Sequence, residues 1–402
     1  MTTFQELENL AADYQYVDED RIVLTVGVLA TFYVWGGHES SVRAAMVECE
    51  EAFKAAYGAE LTWAFDSDRQ RIVPFSKALP LRQLVQSMDE DDQIEWFSAS
   101  GDSETATEFR LSILTERGWQ SNQISMVSFV LPRAHAYEPE KRTKLHDLVR
   151  LFVKKLSPFH GHVGLGAVST YEQYEYQSDE IDVATRYRGL FIEDVFHSNW
   201  AHTGFTSIDW MTFIGSTLAE RAGGLLELER RLKANGVDVE MMNTGLFVVS
   251  GNEPDIVPVE QEMPSKLSVI NAVLRPLRSG NVESMGFGSI DGELRFNRCT
   301  TDLWVRRYDA PGIWPPASFI GLPRTPVGKV PRKKISLKTG EACSVHGRYR
   351  HPGYEPVAPG DDDDAPQVVL LPGDIAPYWL KLGPHGEYLG RETVTWHLVA
   401  EL

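Results

Sequence analysis

Residues Arg21 to Trp35 form a long apolar run rich in Val, Leu, Phe and Tyr. A run of this length without polar alternation reads as a central strand, so the chain must build a sheet around it. Gly36-Gly37 then turns the chain, and Ser40 or Ser41 is placed to cap a helix over Val42–Tyr57. Val42, Ala45, Met46, Cys49, Phe53 and Ala56 recur at helical spacing on that segment, and Gly58 follows as its stop.

Similar signals run through the rest of the first 310 residues. The acidic residues 1 to 20 are expected to cap the first strand. Leu61–Asp66 and Arg71–Phe75 read as a hairpin, with Pro74 marking the second member as an edge. Leu79–Met88 reads as a short helix. Glu108–Arg117 and Gln123–Leu131 read as paired strands, and His162–Val168 as a glycine-rich, close-packed one. Pro139 opens a helix to Leu156 with Leu145, Leu148, Val149, Phe152 and Leu156 inward. Leu225–Ala234 reads as a helix ended by Asn235-Gly236. Val237–Ser250 reads as a strand pair around Asn243-Thr244-Gly245. Pro264–Leu277 is a helix with Leu267, Ile270, Val273, Leu274 and Leu277 inward. Asp291-Gly292 marks a hairpin between Phe287–Ile290 and Glu293–Phe296, and Trp304–Tyr308 closes the region.

The expected fold class is therefore α+β, with mixed or antiparallel sheets, packed helices and a small β-rich module at the C-terminus. At 402 residues the chain exceeds one ordinary core. The division expected is an α+β domain over 1–310, two stacked halves near 1–170 and 171–310, a Pro-rich linker over 311–331 and the β-rich module over 332–402.

Charge narrows the partners. Thirty-nine basic residues face 57 acidic ones, a net charge of −18. Phosphate backbones and anionic membranes need cationic surfaces, so a direct nucleic-acid or membrane partner is not expected. The charge favours steering toward a basic partner. Cys49, Cys299 and Cys343 lie far apart and make no disulfide framework. The N-terminus reads as no signal peptide and no apolar run is long enough to span a bilayer, so a cytoplasmic location is expected.

Catalytic and metal-binding patterns are weak. Gly161-His162-Val163-Gly164-Leu165-Gly166 lacks the spacing of a phosphate-cradling loop and reads as a strand. Cys343-Ser344-Val345-His346 has no second Cys/His pair to complete a zinc site. His160 with His162, and His197 with His202, read as surface histidines. Asp361–Asp364 lacks the spaced ligands of a calcium loop. No nucleophile elbow, His-Glu-x-x-His or Walker loop appears. No cofactor, metal or catalytic residue is assigned.

One surface feature carries functional promise. Gln83 to Phe109 holds eight acidic residues and no basic one, with Asp89, Glu90, Asp91 and Asp92 adjacent and Glu95 close behind. Such a run is either a solvated loop or a complement to a cationic partner. Trp96 and Phe97 are either interface anchors or an alternating strand with one ring in the core.

The stretch Ser207-Ile208-Asp209-Trp210-Met211-Thr212-Phe213-Ile214-Gly215, then Ser216 to Gly223-Gly224, carries no reactive group. It reads as a buried strand, a turn and a short helix stopped by two glycines. It resembles the type VI secretion immunity proteins associated with nuclease effectors. The likeness extends to Tyr187-Arg188-Gly189-Leu190, to Gly245-Leu246-Phe247-Val248-Val249 and to the early strand and helix at Arg21–Tyr57, covering roughly residues 20 to 308. In this pattern Asp209, Trp210, Gly215, Gly223 and Gly224 are structural. The tail resembles a module of other polymorphic-toxin immunity proteins, through Thr339–Cys343, Gly347-Arg348-Tyr349, Leu371–Pro377 and Trp396. Those modules usually follow the Cys with Pro, where this chain has Ser344.

The resemblance implies a non-enzymatic protein, a monomer or homodimer, that binds a cognate effector. The effector implied is a restriction-endonuclease-like nuclease, neutralised by stoichiometric occlusion. The acidic group Asp89, Glu90, Asp91, Asp92 and Glu95 is the expected contact. The alternatives are a binder that blocks effector loading or oligomerisation, and an enzyme that reverses a toxin's modification.

Overall fold

The computed structural model describes residues 3–67, 69–120, 123–171, 176–193, 198–280, 282, 285, 296, 298–309, 314–315, 334–351, 367–382 and 388–401. They form an α+β protein whose contacts divide into two compact units. The first gathers Met1–Gln173, Gly189–Val257 and Pro264–Arg278; the second gathers Tyr174–Arg188, Pro258–Met263 and Ser279–Leu402.

The first unit is built on one eleven-stranded sheet. Its strands are β1 (Tyr16–Asp18), β2 (Arg21–Val34), β3 (Trp63–Asp66), β4 (Arg71–Pro74), β5 (Glu95–Ala99) and β6 (Arg110–Leu114). They continue with β7 (Ser125–Leu131), β8 (His160–Ser169), β9 (Met211–Gly215), β10 (Asp238–Met242) and β11 (Gly245–Val249). The order across the sheet is β10-β11-β9-β8-β2-β7-β6-β5-β3-β4, with β1 added against β2. Every ladder is antiparallel. The apolar run at Arg21 is the central strand: β8 pairs it along Leu24–Tyr33 and β7 along Val28–Val34. Pro74 sits on the edge strand β4, where a missing N–H costs no ladder bond.

The two faces of β2 are covered differently. On one, Phe32 and Phe129 meet Phe53 of helix Ser40–Tyr57 and Phe152 of helix Pro139–Leu156. Ring centroids lie 5.2 Å apart for Phe129–Phe152 and 5.9 Å apart for Phe53–Phe129. On the other face, Thr31, Tyr33, His160 and His162 pack against Phe191, Glu193 and Ala201. His160 and His162 are therefore core residues, each 1% exposed, and not the surface pair expected. His160 Nε2 lies 2.9 Å from the Ala201 carbonyl and the His162 ring 4.0 Å from that of Phe191. The same face buries an ion pair between Arg110 and Glu193, with the Thr31 hydroxyl 3.5 Å from the Glu193 carboxylate.

Two local expectations need correction. Residues 3–18 do not simply cap the first strand: they fold as helices Phe4–Asn9 and Ala11–Tyr14 and then pair as β1. The helix after Gly37 starts earlier than expected, with Glu39 at its N-cap and no side-chain cap. Gly36 takes φ +74°, and the Glu39 N–H donates to the Gly36 carbonyl at 2.8 Å, so the turn itself delivers the chain into the helix. Its buried stripe also rotates. Arg43, Met46, Val47, Cys49, Glu50, Phe53 and Tyr57 are inward, while Val42 and Ala45 are half-buried and Ala56 is exposed. The other helices keep their expected faces: Leu145, Leu148, Val149, Phe152 and Leu156 are buried, as are Leu267, Ile270, Val273, Leu274 and Leu277.

In the second unit, helix Arg298–Val305 carries Trp304, over which the buried Arg307 guanidinium stacks at 4.0 Å. Trp314, which falls in the Pro-rich stretch, is buried and donates its indole N–H to the Ala184 carbonyl at 2.9 Å. The tail forms one sheet of β12 (Ser336–Lys338), β13 (Gly347–Arg350), β14 (Gln367–Leu370) and β17 (Thr395–Glu401), in the order β12-β17-β13-β14. A separate pair joins β15 (Trp379–Leu382) and β16 (Tyr388–Glu392). Trp396, Tyr349 and Cys343 lie at the core of this tail, with the Cys343 sulfur 3.2 Å from the Tyr349 hydroxyl. The hairpin expected at Asp291-Gly292, the Asp361–Asp364 run, His197 and most of 311–331 lie outside the described residues.

Candidate partner-binding surface

The sheet register brings three connections to one end of the first unit. β2 ends at Val34 opposite Ser125, the first residue of β7; β6 ends at Leu114 opposite Glu95, the first residue of β5. The turn after β2, the connection after β6 and the acidic segment before β5 therefore lie together.

Arg43 stitches them. Its side chain is 3% exposed and donates only to backbone carbonyls: Nη1 to Asp89 and Nη2 to Asp92, each at 2.6 Å, and Nε to Gly37 at 3.2 Å. A buried guanidinium with three carbonyl acceptors fixes the path of the chain above it. Glu116, also buried, accepts from the Gly37 N–H at 2.6 Å and from the Ser125 hydroxyl. The connection after β6 is tied to the acidic segment in turn. The Ile94 N–H donates to the Thr115 hydroxyl at 2.9 Å and the Gly118 N–H to the Glu90 carbonyl at 2.8 Å.

The acidic run becomes a self-capped turn on this base. The Asp92 carboxylate accepts from the Asp89 N–H and the Asp89 carboxylate from the Asp91 N–H, both at 2.9 Å. Asp89, Glu90, Asp91 and Asp92 are all exposed, and Glu95 is exposed at the first position of β5. Among the described residues none of these five carboxylates has an ion-pair partner within 4 Å, whereas Glu51, Glu227 and Glu229 pair with Arg82, Arg230 and Lys233. Arg43 does not neutralise them by contact, because it spends its donors on their backbone. Partial desolvation pushes the Glu95 carboxyl above its ordinary range, with Arg117 opposing.

The flanking aromatics do not serve as anchors. Trp96 is 5% exposed, and Phe97 is half-buried, stacked 5.2 Å from Trp63 and edge-on to Tyr171 at 4.9 Å. The residues that sequence reasoning missed are Arg43 and Glu116. A polar residue at the inward spacing of an amphipathic helix, three before Met46, was the available signal for Arg43.

Of the Ser207–Gly224 stretch, Ser207–Gly215 lies inside, and the short helix after it buries Leu218 and Ala219 while Ser216, Thr217, Glu220, Arg221 and Gly223 are exposed. Trp210 is 2% exposed and donates its indole N–H to the Gly251 carbonyl at 2.8 Å. The buried Asp209 carboxylate accepts from the Trp210 N–H at 3.0 Å. A Cβ on Gly164 would collide with that carboxylate. A Cβ on Gly215 would lie 2.7 Å from the Phe159 carbonyl oxygen. Gly223 and Gly224 take φ +94° and +86°, the left-handed region that ends the short helix.

Among the described residues no group of three or more His, Cys, Asp or Glu stands in metal-binding geometry, and no helix is long and apolar enough to cross a membrane.

Comparisons add the relatives. A family model described as TsiV, type VI immunity for VRR-NUC, matches residues 45–308. A solved structure of the T6SS protein PA0821 of Pseudomonas aeruginosa is similar in fold, with TM-score 0.66 and 24% identity, covering 73% of this chain and 84% of that one. No curated protein matches significantly.

Proposed function

The chain belongs to the TsiV family of type VI immunity proteins for VRR-NUC effectors, and from that premise we propose that it binds one cognate nuclease effector and neutralises it stoichiometrically. The observation that carries the mechanism is the acidic turn Asp89–Asp92 with Glu95, braced from beneath by Arg43 and without ion-pair partners among the described residues. A nuclease has to hold a polyanion and therefore presents a cationic groove. Carboxylates on a rigid turn of a chain of net charge −18 complement that groove and speed the encounter. Occlusion of the groove then excludes DNA without chemistry. A stable complex of this kind buries at least about 1,200 Å².

The test is a titration of the purified protein against a cognate VRR-NUC nuclease domain. Cleavage should fall linearly and vanish at about one immunity molecule per nuclease. A complex that still cuts DNA points instead to a block of effector loading or oligomerisation. Protection at far below one equivalent points to enzymatic reversal.

A further inference from the structure

The chain has ten tryptophans, and most of those described are buried. Trp119 is 67% exposed, the most of any. It does not sit on a frayed end. In its turn the Arg117 N–H donates to Gln120 Oε1 at 2.8 Å and the Gln120 N–H to the Arg117 carbonyl at 2.9 Å. The adjacent Gly118 N–H reaches the Glu90 carbonyl at 2.8 Å. An indole held in water by an ordered turn forgoes the burial that stabilises the other tryptophans, and gains nothing in the free protein.

We propose that Trp119 is the anchor of the interface with the nuclease effector, and that the effector lays an Arg or Lys side chain over its indole face. This rests on the binding reading above. The choice of a cationic partner follows from charge. Asp89, Glu90, Asp91 and Asp92 lie on the turn to which Gly118 is hydrogen-bonded, and they repel an acidic surface while drawing a basic one. The indole face attracts a guanidinium or ammonium group, and Trp and Arg are among the side chains most enriched at interface hot spots.

The experiment measures binding of a cognate VRR-NUC nuclease domain to the wild type, to Trp119→Ala and to Trp119→Phe. Hydroxyl-radical footprinting of Trp119, free and in complex, accompanies it. The expected result is a loss of at least about tenfold in affinity for Trp119→Ala, mostly in dissociation rate. Trp119→Phe should recover most of it, and oxidation of Trp119 should be suppressed in the complex. If Trp119→Ala binds within about twofold of wild type and Trp119 stays oxidisable, the proposal is overturned. The binding reading then survives if wild type still inhibits the nuclease. If Trp119→Ala lowers the thermal midpoint, the Phe variant and the footprint decide alone. Wild type that fails to bind the nuclease overturns both.

Discussion

Asp209 and Asp92 do the same local job and end in opposite environments. Each carboxylate accepts a backbone N–H, Asp209 from Trp210 at 3.0 Å and Asp92 from Asp89 at 2.9 Å. Asp209 is 4% exposed, in a niche that exists only because Gly164 has no Cβ. Asp92 is exposed, because the space beneath its turn is filled by the Arg43 guanidinium, which binds the backbone and leaves the carboxylates outside. The difference teaches what each region is for. A carboxylate walled in by a sheet fixes the chain and contributes nothing to an encounter. A carboxylate lifted on a braced turn adds little to stability and displays charge.

That contrast can be broken from either side. The largest expected effect is inside. Trp210→Ala removes a buried indole together with its bond to Gly251 and should lower unfolding free energy by about 4 kcal/mol, read by chemical denaturation. A folded variant with an unchanged midpoint would place Trp210 outside the core. Arg43→Met should cost about 3 kcal/mol, since three carbonyls lose their donor, and hydrogen exchange should accelerate at Asp89–Asp92 before it does elsewhere.

Acid should attack the interior first. Burial lowers the His160 imidazole to about 4, with the Ala201 carbonyl opposing. The unfolded chain, with an ordinary value near ~6.5, then binds a proton that the folded chain refuses. Stability from this site is complete above pH ~6.5 and falls as pH drops toward 4, by a total on the order of 3 kcal/mol. Replacing His160 by Gln should flatten that part of the pH profile; a profile unchanged by the substitution would contradict its burial as a neutral ring. Gly164→Ala should cost about 2 kcal/mol by pressing on Asp209, and less when combined with Asp209→Ala, as a double-mutant cycle would show.

The smallest expected effect on stability is at the acidic turn. Asp89→Asn and Asp92→Asn keep the turn's acceptors, and with Glu90→Gln, Asp91→Asn and Glu95→Gln they should change unfolding free energy by no more than about 0.5 kcal/mol. A larger loss would mean that the carboxylates hold the fold.

Much of this was readable from sequence, and the exceptions share a cause. Helices Pro139–Leu156 and Leu225–Ala234 have the expected limits because proline marks the first start and Asn235-Gly236 the second stop. Asn243-Thr244-Gly245 likewise marked the β10–β11 hairpin. Hydrophobic periodicity failed where polar groups face inward. Arg43 and Glu50 displaced Val42 and Ala56 from the buried stripe of their helix. Arg110 and Glu193 meet across 83 residues, a separation that no local pattern encodes. His160 and His162 alternate with glycines in β8, and only the sheet's second cover, through Phe191 and Ala201, decides that they are buried. The acidic run was visible, but its lack of ion pairs among the described residues and the exposure of Trp119 were not, since a loop has no period to read.

The central claim is that the displayed carboxylates, and not the buried ones, recognise the effector. Its most direct test is the association rate of the nuclease domain with wild type and with the five-residue neutralised variant, across ionic strengths. The prediction is that wild-type association falls steeply with salt, and that the neutralised variant associates at least about tenfold more slowly at low salt with a shallower dependence. Equal rates and equal salt slopes for the two, with inhibition intact, would contradict it.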